Sequence, residues 1–219
     1  MATREEKKDE LRDKIVQAAE IYSRELSGKV FLYVVGDESF EVCFPSDHFR
    51  HLTGVCSRMS AGEFYRKAKN HKLEVNQFYT TDQHPFSTAQ QKMKCLHQLP
   101  ELTRNTVCVV KDMWTASIVY KLGLTNLSFT IGLTRQLDKD NKPINTWYVP
   151  QTLRVNDKAI ENSQDSDFVD FILMRDASKS KYETVMYSDP NKPLPETVAD
   201  MLSEELRERF YGEEETSSC

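Results

Sequence analysis

The chain has 219 residues with 29 basic and 34 acidic side chains, a formal net charge of −5, and 39% hydrophobic and 10% aromatic content. That composition excludes a chain disordered throughout and suits one folded domain or two small ones. The longest uncharged apolar run, Val30 to Val35, is far short of the roughly 20 residues of a bilayer-crossing helix, and no apolar signal core follows Met1, so a cytoplasmic protein without membrane contact is expected.

In chain order, Thr3-Arg4-Glu5-Glu6 has the spacing of a capping box and predicts a first helix. Leu11, Ile15, Ala18, Tyr22 and Leu26 give that helix one apolar stripe, and Gly28 ends it. Val30 to Val35 and Phe40 to Phe44, joined by Gly36-Asp37, read as a hairpin. Two further capping boxes, Ser60 to Glu63 and Ser87 to Gln90, predict helices in the middle of the chain. After Pro100 the texture is strand-like: Thr106–Val110, Ser117–Leu122, Leu127–Leu133, Thr146–Val155, Phe168–Met174 and Tyr182–Tyr187. A last helical pattern runs through Val198, Met201, Leu202, Leu206 and Phe210. The expected organisation is one α+β domain over 1–212, with helices packed on a twisted antiparallel sheet: an N-terminal helix (1–28), a core (29–190) and a C-terminal helix (191–212), followed by an acidic tail (213–219).

The five cysteines are odd in number and lack paired spacing, so neither a disulfide framework nor a zinc knuckle is expected; Cys43 and Cys108 fall in predicted strands as buried thiols, and Cys219 ends the tail exposed. Charge is uneven: residues from Glu161 onward carry a net −9 and the first 160 a net +4. Between His48 and Arg104, nine cationic side chains, Lys92 among them, face four acidic ones, a bias that suits a phosphate backbone or simply a solvated helix face.

Ser46-Asp47-His48-Phe49-Arg50-His51-Leu52-Thr53-Gly54 concentrates two of the five histidines. In a helix, His48 and His51 share a face while Phe49 and Leu52 turn inward, and two imidazoles can act as base and acid around one phosphodiester. The remaining histidines lack ligand spacing, so no metal site is expected, and a capping or packing role for His51 competes with the catalytic one. Lys121 is expected at a strand end. In Tyr148 to Arg154, alternation puts Tyr148, Thr152 and Arg154 on one side of a strand unless Pro150 creates a bulge. A guanidinium and a hydroxyl there can hold a pentacovalent phosphate, or simply form a polar strand face.

The strings His48-Phe49-Arg50-His51-Leu52-Thr53-Gly54, Ser60-Ala61-Gly62-Glu63-Phe64-Tyr65, Leu122-Gly123-Leu124, Tyr148 to Arg154 and Lys181-Tyr182 resemble the phage-associated barnase/EndoU/colicin/RelE-like nucleases, specifically their fourth subgroup, across roughly Lys29 to Tyr187. The resemblance implies an α+β fold and a metal-independent ribonuclease without cofactor. Carried over by position, His48, His51 and Arg154 are the catalytic candidates, and Arg50, Thr53, Lys121, Tyr148 and Thr152 the substrate-binding ones. Expected partners are RNA and a host or immunity protein. The competing reading is a non-catalytic protein of the same fold that binds nucleic acid or a nucleotide, or inhibits a host defence protein. Group transfer from a dinucleotide has no signature here.

Overall fold

The structure, a computed structural model, describes residues 3–114, 119–155 and 161–212. The acidic tail, Cys219 and the start of the strand expected at Ser117 lie outside the described residues. The predicted first helix forms as α1 (Arg4–Glu25), with Thr3 accepting from the Glu6 amide and Glu6 reaching back to the Thr3 amide. The hairpin forms as β1 (Lys29–Val35) and β2 (Glu38–Cys43). The middle region holds α2 (Phe49–Thr53), α3 (Ala61–Lys69) and α4 (Phe86–Leu96).

Seven strands follow: β3 (Cys108–Trp114), β4 (Val119–Thr125), β5 (Phe129–Leu137), β6 (Pro143–Val155), β7 (Asp165–Phe168), β8 (Phe171–Asp176) and β9 (Thr184–Ser188), with α5 (Glu204–Tyr211) closing the described chain. The sheet order among these elements is β7-β3-β4-β5-β6-β2-β1-β8-β9. Every pairing is antiparallel except β2 with β6, which meet in parallel at Val42 and Tyr148. The α+β class therefore holds with a mixed sheet in place of the antiparallel one, because β6 finds its second neighbour in a strand about a hundred residues earlier instead of in a hairpin partner.

The sheet is curled into a half-barrel. Phe168–Met174, expected as one strand, is divided: β7 pairs with β3 at one end of the sheet and β8 with β1 near the other. Val169 and Asp170 alone make the passage, donating to the Val107 and Val34 carbonyls in turn. Two residues span little distance, so the two ends of the sheet must stand close together.

β1 explains why its sequence is apolar without alternation. Phe31 and Tyr33 enter a core shared with α1 to α4, whereas Leu32 and Val34 enter a second core beneath Val198, Leu202 and Leu206. A strand covered on both faces has no solvent side to mark. The predicted last helix is in fact a 3-10 turn (Glu196–Met201) and α5, separated at Ser203, whose hydroxyl caps the second piece. Cys43 and Cys108 are buried free thiols. Among the described residues no helix is long and apolar enough to cross a membrane.

Candidate functional site

The segment after the hairpin is held down by its aromatic residues. Tyr22 of α1 donates its hydroxyl to the Pro45 carbonyl at 2.9 Å and packs edge-on against Phe44, Phe49 and Tyr65. Phe49, Leu52 and Thr53 are buried, which fixes the outward direction of the other side chains of α2. Gly54 ends the helix at φ +75°, a left-handed conformation that glycine adopts without steric cost.

His48 stands at the start of α2, half-buried, with its ring centroid 6.3 Å from that of His51. Its Nδ1 lies 2.9 Å from the Pro150 carbonyl, which can only accept, so Nδ1 carries the proton. Nε2 then accepts from the Gln136 amide at 3.5 Å, and Gln136 in turn accepts from Asn145 at 3.2 Å. The ring is clamped between two strands. Arg50 is committed elsewhere: it donates to the Met59 carbonyl at 2.5 Å and the Ser57 carbonyl at 3.5 Å. Thr53 is fully buried and bonds the Arg50 carbonyl and the Val55 amide, closing the helix. Arg50 and Thr53 thus both serve the local fold.

His51 is exposed, yet partial loss of hydration lowers its pKa, reinforced by Arg50, His48 and Lys92 and opposed by Asp47. The imidazole is neutral near pH 7 and able to accept a proton.

In β6, Gly132 faces Thr152 and Leu133 faces Pro150, so Gln151 is an extra residue in the strand. This bulge reverses the alternation: Tyr148 shares the inner, Leu153 face, while Thr152 and Arg154 take the outer one. The expected common side for the three residues is therefore corrected, and the sign of trouble was Pro150. Thr152, Arg154, Thr88, Gln91 and Lys92 line a cavity of about 280 Å³ where α4 meets β6. Burial, and then the Arg154 guanidinium, hold the Lys92 ammonium below the ordinary lysine range. Lys92 and Arg154 thus bring two cationic side chains to one cavity wall. Gly54 makes room for Lys92, since a Cβ there would lie 2.9 Å from the lysine Cδ. Tyr120 stands behind Thr152: its ring lies where a Cβ on Gly132 would intrude at 2.8 Å, and its hydroxyl is coupled to Thr152 and Arg154.

Lys121 stands apart from this cluster, paired with Asp112 at 2.6 Å, and with Arg135 and Tyr148 it lines a cavity inside the curl of the sheet. The site residues so divide into an outer set, His51, Lys92, Thr152 and Arg154, with His48 beside it, and an inner set, Lys121 and Tyr148. Among the described residues no three His, Cys, Asp or Glu side chains cluster closely enough to hold a metal ion.

A family model described as phage-Barnase-EndoU-ColicinE5/D-RelE like nuclease4 matches residues 14–191. The chain belongs to this phage nuclease-like family. No curated protein and no solved structure matches it. The match spans α1 from its middle through β9, so it includes every residue of both sets. Lys92 is the member of the outer set that sequence reasoning left out of its site. Its charge was visible in the basic run, but no spacing signal links α4 to a strand some sixty residues later.

Proposed function

We propose that this nuclease-like protein is a metal-independent endoribonuclease that cleaves RNA by attack of the 2'-hydroxyl on the adjacent phosphorus. The observation that carries the reading is the placement of Lys92 and Arg154 on one cavity, close enough to His51 for Lys92 to depress its pKa. A phosphate that enters the cavity meets both cations, and a dianionic transition state gains more from them than a monoanionic ground state.

His51, neutral at pH 7, takes the proton of the 2'-hydroxyl. The 2'-oxygen bonds to phosphorus, the bond to the 5'-oxygen breaks, and Lys92, made more acidic by its surroundings, protonates the leaving oxygen. Arg154 holds the equatorial phosphoryl oxygens and Thr152 orients them. His48 keeps α2 in register with β6 through Pro150 and with β5 through Gln136. The products are a 2',3'-cyclic phosphate and a 5'-hydroxyl, and solvent exchange restores both proton carriers.

The test is incubation of purified protein with structured and unstructured RNA in excess chelator, beside His51→Ala, Lys92→Ala and Arg154→Ala. Cyclic phosphate ends from the parent alone are the expected result. RNA bound but left intact by the parent would overturn the reading in favour of a non-catalytic binding protein of the same fold.

A further inference from the structure

The curled sheet holds a third cavity, of about 570 Å³, lined among others by Tyr120, Lys121, Arg135, Tyr148 and Gln151. Its composition differs from that of the Lys92 and Arg154 cavity, whose described lining residues include no aromatic one. Here the Arg135 guanidinium lies over the Tyr148 ring, 4.7 Å from its centroid, and Tyr148 rests edge-on against Phe40. Arg135 is exposed, so this stack presents a planar cationic surface to the solvent side. Planar guanidinium and aromatic groups are what unpaired bases stack on in RNA-binding proteins, while a carboxamide such as that of Gln151 can both donate to and accept from a base edge.

The two cavities are adjacent along the chain. Gln151 lines one and the next residue, Thr152, lines the other; Tyr120, coupled to Thr152 and Arg154, stands in the wall between them. The alternation of the strand turns Gln151 and Thr152 to opposite sides, and the bulge at Gln151 brings Tyr148 away from the face of Thr152 and Arg154. We infer that the cavity at Arg135, Tyr148 and Gln151 receives the base of a nucleotide flanking the scissile phosphate, which makes the substrate single-stranded RNA. The inference rests on the proposed cleavage at Lys92 and Arg154. A paired base has its hydrogen-bonding edge occupied and both faces stacked, so a duplex cannot fill the cavity.

The experiment compares parent, Tyr148→Leu and Gln151→Ala on defined single-stranded RNA oligonucleotides that differ at the nucleotides flanking the cut, on the same sequences in duplex, and on one oligonucleotide lacking the flanking base. Expected are a preference of the parent for single strands, a KM raised about tenfold by Tyr148→Leu as one stacking contact is lost, and a flattened base preference in Gln151→Ala. Removing the base from the oligonucleotide reproduces the Tyr148→Leu effect on the parent and adds nothing to the variant. Unchanged KM and base preference in two active, folded variants would overturn the inference while leaving the cleavage reading intact. If the parent does not cleave RNA, the cleavage reading falls, and equilibrium binding of the same oligonucleotides decides the rest. Tighter binding of base-bearing than of abasic RNA, lost in Tyr148→Leu, supports the base site; equal affinities remove it.

Discussion

Gly54→Ala separates backbone strain from the placement of Lys92. Gly54 has φ +75° and Gly28, remote from the site, has φ +78°, so alanine meets nearly the same left-handed backbone at both positions. That strain costs roughly 1–2 kcal/mol for an L-residue, or a melting temperature lower by about 2–8 °C in a chain of this size. The surroundings differ. A Cβ at Gly28 meets nothing within 4 Å, whereas at Gly54 it meets the Lys92 Cδ at 2.9 Å and the Ala89 Cα at 3.4 Å. The flexible lysine can swing aside at small cost to stability, but its ammonium then leaves Arg154. The two variants should melt at similar temperatures, while kcat/KM on RNA falls roughly tenfold or more in Gly54→Ala alone, as expected when a catalytic group is displaced by an ångström or less. Thermal melts followed by circular dichroism and initial rates at 25 °C supply both quantities. In a Lys92→Ala background the Gly54 substitution should cause no further loss of rate. Equal activity in Gly54→Ala and Gly28→Ala at matched stability would refute the assignment of Lys92.

Cleavage should follow a bell-shaped pH profile in kcat/KM. Its acid limb should lie below the ordinary histidine value of 6.5, where His51 becomes protonated, and its alkaline limb below 10.5, where Lys92 loses its proton; Lys92→Arg should move the alkaline limb upward, and an acid limb above 6.5 contradicts the role of His51. Glu41 is partly buried with Arg175 and accepts from Tyr182 at 2.6 Å, Thr146 at 2.8 Å and Arg175 at 3.1 Å. Burial alone would raise its pKa, but these bonds bring it below 4.5. Its charge therefore stabilises the fold above pH 4.5 and ceases to do so as pH falls through the lowered value, so Glu41→Gln should be destabilised at pH 7 by about 2–4 kcal/mol, with the difference from the parent shrinking in urea titrations at progressively acid pH. Tyr33 is fully buried and donates to the Leu102 carbonyl at 2.9 Å, so Tyr33→Phe should lower stability by about 1–2 kcal/mol without changing the slope of the urea transition.

Features set by neighbours in sequence were legible, and those set by distant pairing were not. The Thr3 and Glu6 box and the inward turn of Phe49 and Leu52 depend on residues three or four positions apart, and the structure has both. The Ser87 box shows the limit even locally, because the helix begins two residues earlier with Pro85 in the capping position and Ser87 falls inside its first turn. The orientation of Tyr148 relative to Arg154 is decided by how β5 registers against β6, information absent from the seven residues that run from Tyr148 to Arg154. Lys92 meets Arg154 only because α4 packs against β6.

The passage at Val169 and Asp170 bears on how this molecule is made. β1 is the most apolar strand, and its second edge is sealed by β8, which lies some 140 residues downstream. α2, α4 and β6 all precede residue 156, so during synthesis the side chains of the outer set emerge while β1 still offers an open edge. Such an edge invites pairing with another chain. A copy truncated before Phe171 would thus contain every residue of the outer set and still be prone to self-association, which makes the last quarter of the chain a guard on solubility.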